Sequence, residues 1–240
     1  MKLSKLALFS GVLGGLALFD MLLGPALGHF GAVAPFVGFL VFVSGLLFGV
    51  LGLPLGLGGL RTTRAAAGRS GRGYALLGIA AGVVSVVAVG IAQAPGAGAP
   101  AINDITTDMN DPPAFASDPA ERGRDMTYPA AFVAQVKATP GYADLQPLRI
   151  ARAPEQVLAD ADATARSLGW LVVTTDPATG TLLARETTKI FAFADDVVVR
   201  VRSNGAGGSI VDVRSKSRDG KGDVGANAAR IRRFFAALPK

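Results

Sequence analysis

The sequence predicts a multi-pass α-helical membrane segment with three transmembrane helices, followed by an α+β domain. Three observations carry this. Three long apolar runs fill the first 93 residues, the charged residues concentrate after residue 100, and beyond Leu145 the pattern reads strand, helix, four strands, helix.

The apolar runs span Leu6–Leu27, Val33–Leu60 and Tyr74–Gln93. Each has the roughly 20 residues that a helix needs to cross a bilayer. The loop 61–73, "RTTRAAAGRSGRG", carries four arginines and no acid. An excess of basic residues in a short loop marks the cytoplasmic side. The same side then holds Lys2 and Lys5, and everything after Gln93 lies outside. The expected location is a bacterial inner membrane, with a cytoplasmic N-terminus and an extracytoplasmic C-terminal domain. The first run has the basic start of a signal peptide, but no small-x-small cleavage site precedes a soluble segment, so it reads as an anchor. Glycines recur four apart at Gly11/Gly15, Gly45/Gly49, Gly52/Gly56 and Gly78/Gly82. Such spacing lets helices approach closely, either within one chain or between copies. Asp20 and His29 are ionisable groups at the outer end of the first run, and a proton or ion role is the functional alternative to a plain interfacial one.

Charge is unevenly divided. Six of the 24 basic residues and one of the 18 acidic residues precede residue 100, leaving 18 basic and 17 acidic in the distal part. The distal part is therefore near neutral, and the overall charge of +6 comes mostly from the membrane segment. That argues against a nucleic-acid partner. With no cysteine, the chain has no disulfides and no thiol chemistry; its one histidine lies in the apolar part, so the distal part has no His-based triad or metal site. No cofactor or metal is expected.

"APGAGAPA", 94–101, is a linker. The domain 102–240 opens with an arm, 102–144, rich in Pro, Asp and Asn and expected to be extended. Asp104, Asp108 and Asp111 form an acidic cluster in it. Their spacing lacks the alternation and glycine of a calcium loop, and Asx turns before Pro112 are the plainer account. "LQPLRIAR" predicts a strand. "PEQVLADADATARSLG" predicts a helix, with Pro154 at its first position, Gly169 as its stop and Val157, Leu158, Ala161, Ala165 and Leu168 on its apolar face. "WLVVTT", "TLLARETT", "DVVVRVR" and "IVDVRSKS" predict four strands joined by short turns. A last helix over 224–238 carries Val224, Ala228, Ile231, Phe235 and Leu238 in one stripe. This order makes an antiparallel meander with two helices on one face, the connectivity of a TBP-like, helix-grip domain.

Strand parity places Val197, Val199, Val201, Val211 and Val213 on one face. It places Arg200, Arg202, Asp212, Arg214 and Lys216 on the other, with Arg185. That second face is either a solvated surface of cross-strand ion pairs or a surface for anionic lipid or envelope polymer. The loop "SKSRDGKGD", 215–223, leads into the last helix. It is no Walker A loop, because Asp223 follows Gly220-Lys221-Gly222. Asp223 reads as a structural cap. Ser215, Ser217, Arg218 and Lys221 lie near a helix N-terminus and are candidate anion ligands.

"INDITTD", "PPAF", "YPAAF" and "VDVRSKSRDGKGDVGANAARIRRFF" together resemble domain-of-unknown-function family 1499, a bacterial family with plant relatives. The resemblance covers Ile102 to Leu238 and implies one continuous domain that includes the arm. It implies no mechanism, cofactor or catalytic residue. The family often carries Ser at the position of Gly222, so this loop has one hydroxyl fewer.

The leading expectation is a membrane-anchored, non-catalytic domain that binds an anionic or lipidic envelope component or a protein partner. One alternative is an envelope hydrolase or transferase in which Asp104, Asp108 and Asp223 converge on the 215–223 loop. Another is a subunit of a membrane complex or homo-oligomer. The topology is checked by alkaline phosphatase fusions: a fusion at Lys240 is expected to be active and one at Ala66 inactive, and the reverse would overturn the assignment.

Overall fold

A two-residue strand, β1 (Lys2–Leu3), leads into helix α1 (Lys5–His29), whose start is set by Ser4 accepting the free N–H of Ala7 at 3.4 Å. Helix α2 (Pro35–Thr62) starts with Pro at its first position, where the missing N–H costs nothing. Strand β2 (Arg69–Ser70) pairs in parallel with β1, so the N-terminus and the Arg-rich loop meet at one end of the bundle. Helix α3 (Arg72–Gln93) completes it. All three helices are long and apolar enough to cross a membrane. The computed structural model describes residues 1–115 and 126–240; the 116–125 stretch of the predicted arm lies outside the described residues.

Two compact units result. The first comprises Met1–Pro95 with Lys189–Ala192, the second Gly96–Thr188 with Phe193–Lys240. In the first, most of the paired glycines pack inward. A β-carbon at Gly45 would lie 2.7 Å from the Ala17 carbonyl, and one at Gly49 2.6 Å from Ser85 Oγ; one at Gly82 would lie 2.5 Å from the Gly49 carbonyl. These approaches are too close for any side chain, so the glycines set the helix spacing. Gly15 is the exception, with open space around it.

The second unit is an α+β domain with a six-stranded antiparallel sheet. Its elements are β3 (Asp104–Thr106), α4 (Ala130–Ala138), β4 (Leu148–Ile150), α5 (Pro154–Ser167), β5 (Leu171–Asp176), β6 (Thr181–Thr187), β7 (Ala194–Ser203), β8 (Ser209–Ser217) and α6 (Ala226–Ala237). The strand order is β3-β8-β7-β6-β5, and β4 also pairs with β8. Strands β3 and β4 thus share one edge of β8, at Lys216–Arg214 and Val211–Ser209 respectively. Between them Thr107 N–H donates to the Val213 carbonyl and Val213 N–H to Thr107 Oγ1.

The predicted meander of four strands is present as β5 to β8. The arm differs from its expectation: it contributes β3 and α4, making six strands rather than five. Its apolar pair Ile102 and Ile105 explains this, since both are fully buried in the core. Helices α5 and α6 cover one face, where Val157, Leu158, Ala161, Ala165, Ile231 and Phe234 meet the inward valines of β7 and β8. In α6 the buried stripe is Asn227, Ala228, Arg230, Ile231 and Phe234. The predicted stripe ran through Phe235, which is only partly buried, and Val224, which is exposed. Ala228, Ile231 and Leu238 of that stripe are buried; the helix starts two residues later than predicted, after Gly225 in the left-handed conformation, which leaves Val224 outside it.

Phe234 is stacked on Trp170 at 5.3 Å, and Trp170 is the only tryptophan in the chain. Phe234→Ala is expected to destabilise this unit by about 3–5 kcal/mol, read as a lower denaturation midpoint of Trp170 fluorescence, with secondary structure of the membrane helices unchanged by circular dichroism.

Candidate anion-binding site

The register of the sheet arranges its outward side chains in cross-strand rows, because antiparallel partners share a face. One row reads Arg185, Asp196, Lys216, Asp104 across β6, β7, β8 and β3. Its charges alternate in sign. The next row holds Val198, Arg214 and Thr106, and the one after it holds Arg200 and Asp212. A fourth row holds Arg202, Ile210 and Arg149 across β7, β8 and β4. In it two arginines flank an isoleucine and, as in the second row, no acid stands in register.

The arm closes the first three rows, so this face is not the open surface that the strand pattern suggested. Asp104 is fully buried and accepts from Arg214 Nε at 3.0 Å and Nη2 at 2.7 Å; Lys216 lies 3.3 Å from the same carboxylate. Arg214 also donates to the Pro113 and Met126 carbonyls and lies over the rings of Phe115 and Tyr128. A planar guanidinium suits this site because it donates in a fixed fork and stacks on rings. Asp108 turns the arm: its Oδ1 accepts from the N–H groups of Asn110 and Asp111 at 3.1 and 3.0 Å, the expected Asx turn. Its Oδ2 accepts from Arg202 at 3.0 Å. Arg200 donates to Asp111 at 2.9 Å and to Asp212 at 3.1 Å.

The 215–223 loop is also internally bonded. Ser215 donates to Asn227 Oδ1 at 2.6 Å, and Asn227 Nδ2 donates to Ser217 Oγ at 3.0 Å. Arg230 joins this cluster and reaches Asp195 and Glu186. Burial pushes the Asp195 carboxyl above its ordinary range, and the Arg230 guanidinium pulls it back only in part. Arg218 donates to Asp196 at 2.7 Å. Asp223 fills the start of α6, accepting from Gly225 N–H at 2.9 Å and Asn227 N–H at 2.8 Å. Those N–H groups are the ones an anion would need. Lys221 is exposed. Asp104 does not converge with Asp223: the first belongs to the outward face, the second to the α6 cap. In the membrane unit, Asp20 accepts from Ser44 at 2.8 Å and His29 Nδ1 lies 2.9 Å from the Lys189 carbonyl. Nine residues apart on one helix, they are separated by about 13 Å.

In the fourth row Arg202 is bonded to Asp212 and Asp108, whereas Arg149 has no acid partner among the described residues. Arg149 and Lys137 make no ion pair among the described residues. Arg149, Arg202 and Ile210 line a concavity of 380 Å³ with Lys137 from the last turn of α4, Asp108 and Asn110 from the arm, and Gln146. Two strands apart, the backbones of Arg149 and Arg202 are separated by about 10 Å. Arg202 uses Nε and Nη2 on Asp212 and Asp108, while its Nη1 is 3.9 Å from Asp111, beyond hydrogen-bond reach. Of the sequence-predicted ligands only Arg202 lies here. Lys137, Arg149, Asn110 and Gln146 were not anticipated. Arg149 had a signal: in "LRI" its neighbours Leu148 and Ile150 are apolar, which by parity sends it outward. No group of three His, Asp or Glu residues placed to hold a metal occurs among the described residues.

Fold and site together define a membrane-anchored α+β module whose outward sheet face is sealed except at one basic corner. The chain belongs to the family described as protein of unknown function (DUF1499), which matches residues 104–238. No curated protein matches it.

Removing one partner of a buried ion pair strands the other charge. Asp104→Asn is therefore expected to lower the stability of the distal unit by about 3–5 kcal/mol, whereas Asp219→Asn, with no ion pair among the described residues, should leave the Trp170 midpoint within about 0.5 kcal/mol of wild type.

Proposed function

We propose that this chain is a bacterial inner-membrane protein that presents a non-catalytic binding module on the outer side of the membrane, and that the module takes an anionic component of the cell envelope. The observation that carries the proposal is the concavity at the Arg202–Ile210–Arg149 row, where Arg149 and Lys137 make no ion pair among the described residues and the acid in the lining, Asp108, is bonded to Arg202. Its volume of 380 Å³ lies in the range of small-ligand pockets. The bilayer is the anchor's partner, and an anionic lipid or an envelope polymer supplies the ligand chemistry.

The hydrolase or transferase alternative loses its parts to structure. A general acid or nucleophile must reach substrate. Asp104 and Ser215 are fully buried in bonds of their own, and Asp223 and Ser217 are spent on the α6 cap and on Asn227. The glycine pairs that would support a complex subunit are mostly consumed inside the bundle.

The test uses the full chain in nanodiscs of zwitterionic lipid, titrated with inorganic phosphate and read by calorimetry against empty discs. A charge-assisted hydrogen bond is worth roughly 1.5–3 kcal/mol, so Arg149→Glu and Lys137→Glu are each expected to weaken binding about tenfold or more, and Lys221→Glu to leave it unchanged. Equal weakening by all three, or none by the first two, would contradict the assignment.

A further inference from the structure

Six cations gather at one end of the helix bundle: Lys2, Lys5, Arg61, Arg64, Arg69 and Arg72. All six are exposed, and none makes an ion pair or a side-chain hydrogen bond among the described residues. Asp20, the only acidic residue of this unit, lies fifteen residues along α1 from Lys5, about 22 Å away. A basic loop alone would be a plain topology signal, but this one has an ordered backbone. β1 and β2 pair with Lys2 opposite Arg69 and Leu3 opposite Ser70. Ser4 N–H donates to the Ser70 carbonyl at 3.0 Å, and the buried Ser4 hydroxyl shares a hydrogen bond of 2.6 Å with Thr62. The start of α1, the end of α2 and β2 are thereby tied together. Gly71 has a left-handed φ of +109°, and a β-carbon there would lie 2.8 Å from Leu3 Cδ1, so Leu3 lies over it. Strand alternation turns Leu3 and Ser70 to one side and Lys2 and Arg69 to the other. Two cations therefore stand in register on one face, with backbones about 5 Å apart. Like charges opposite each other across a strand pair are destabilising, and an anion between them removes that cost.

We infer that this basic platform binds the headgroup of an anionic phospholipid, with Lys2 and Arg69 clasping the phosphate and the other four cations around it. The bilayer is the occupant because the platform is continuous with the membrane-spanning surface. Lys5 and Arg72 open α1 and α3, and Arg61 stands in the last turn of α2, three helices long and apolar enough to cross a membrane. Headgroups lie at the level of such helix ends. A lipid held there keeps its chains among exposed apolar side chains of the same helices, such as Leu6, Leu57 and Leu76. No residue is shared with the Arg149 corner, so this inference stands apart from the function proposed above.

Native mass spectrometry of the detergent-solubilised full chain, titrated with phosphatidylglycerol or with phosphatidylcholine of the same acyl chains, reads the two affinities. A basic side chain beside an anionic headgroup contributes roughly fivefold, so phosphatidylglycerol is expected to bind at least about tenfold more tightly. The double variant Lys2→Gln, Arg69→Gln removes the pair in register and leaves four cations to hold the topology. It is expected to weaken phosphatidylglycerol about tenfold and to leave phosphatidylcholine as in wild type. The charge-keeping double variant Lys2→Arg, Arg69→Lys should retain the preference, which separates lost charge from a disturbed strand pair. Arg149→Glu, in the distal unit, should change neither affinity. Equal affinities for the two lipids overturn the inference. So does a preference that survives the glutamine variant, or one that is lost in the charge-keeping variant or in Arg149→Glu.

Discussion

The buried ion pair between Asp104 and Arg214 is the constraint from which the distal architecture follows. Both side chains are shut off from water, at 0% and 2% exposure. Two charges so placed are tolerable only when paired and surrounded by further donors and acceptors. The pair therefore requires the arm to lie on β8 as a strand, with Ile105 inserted into the core on the opposite face. Once β3 is placed, Lys216 falls opposite Asp104, Asp108 reaches Arg202, and Asp111 reaches Arg200. Replacing the pair by apolar groups of similar shape could match its stability. What the ions add is register, because a one-residue slip would set Asp104 opposite Ser215 or Ser217, turn its carboxylate toward the core and bury the Arg214 guanidinium unpaired.

From that constraint comes the position of the candidate site. The arm brings Asp104, Asp108 and Asp111 over a face with five cations, and it neutralises the rows it covers. At the Arg202–Ile210–Arg149 row, where β4 replaces β3 at the edge of β8, its Asp108 still bonds Arg202 but none of its acids pairs with Arg149. The strand change is what leaves Arg149 without an acid beside it. The candidate site is thus a boundary between two short strands sharing one neighbour. No glycine loop or helix start is needed to build it.

Much of this was legible in the sequence, and the failures have physical causes. The three apolar helices follow from composition, and the meander follows from alternation and turn residues. The outward face of β7 and β8 was read correctly residue by residue, because the side-chain period of a strand is two. What strand parity could not supply was the cover. A three-residue strand such as β3 has too short a pattern to stand out from "INDITTD", and its partners are more than a hundred residues away. The α6 face was misjudged because Asp223 marks the capped turn, while Gly225 and the positive φ of Val224 delay the helix. Phe234 and Phe235, three and four residues after the buried Ile231, both fit a helical stripe, and the structure buries Phe234. Arg230 and Asn227 were hidden by the same error, since polar residues at buried helical positions look like a solvated flank until their partners Ser215, Asp195 and Glu186 are seen.

The central claim is that the arm is part of the sheet and seals its charged face. Hydrogen exchange of single amides measures this most directly. Thr107 N–H bonds to the Val213 carbonyl and Val213 N–H to Thr107 Oγ1, so both join arm to sheet, while Val199 reports the sheet centre. The account predicts that Thr107 and Val213 exchange as slowly as Val199, through opening of the whole unit. If Thr107 exchanged at the rate of the exposed turn at Gly205 while Val199 stayed protected, the arm would be a loose strap and the account would be contradicted.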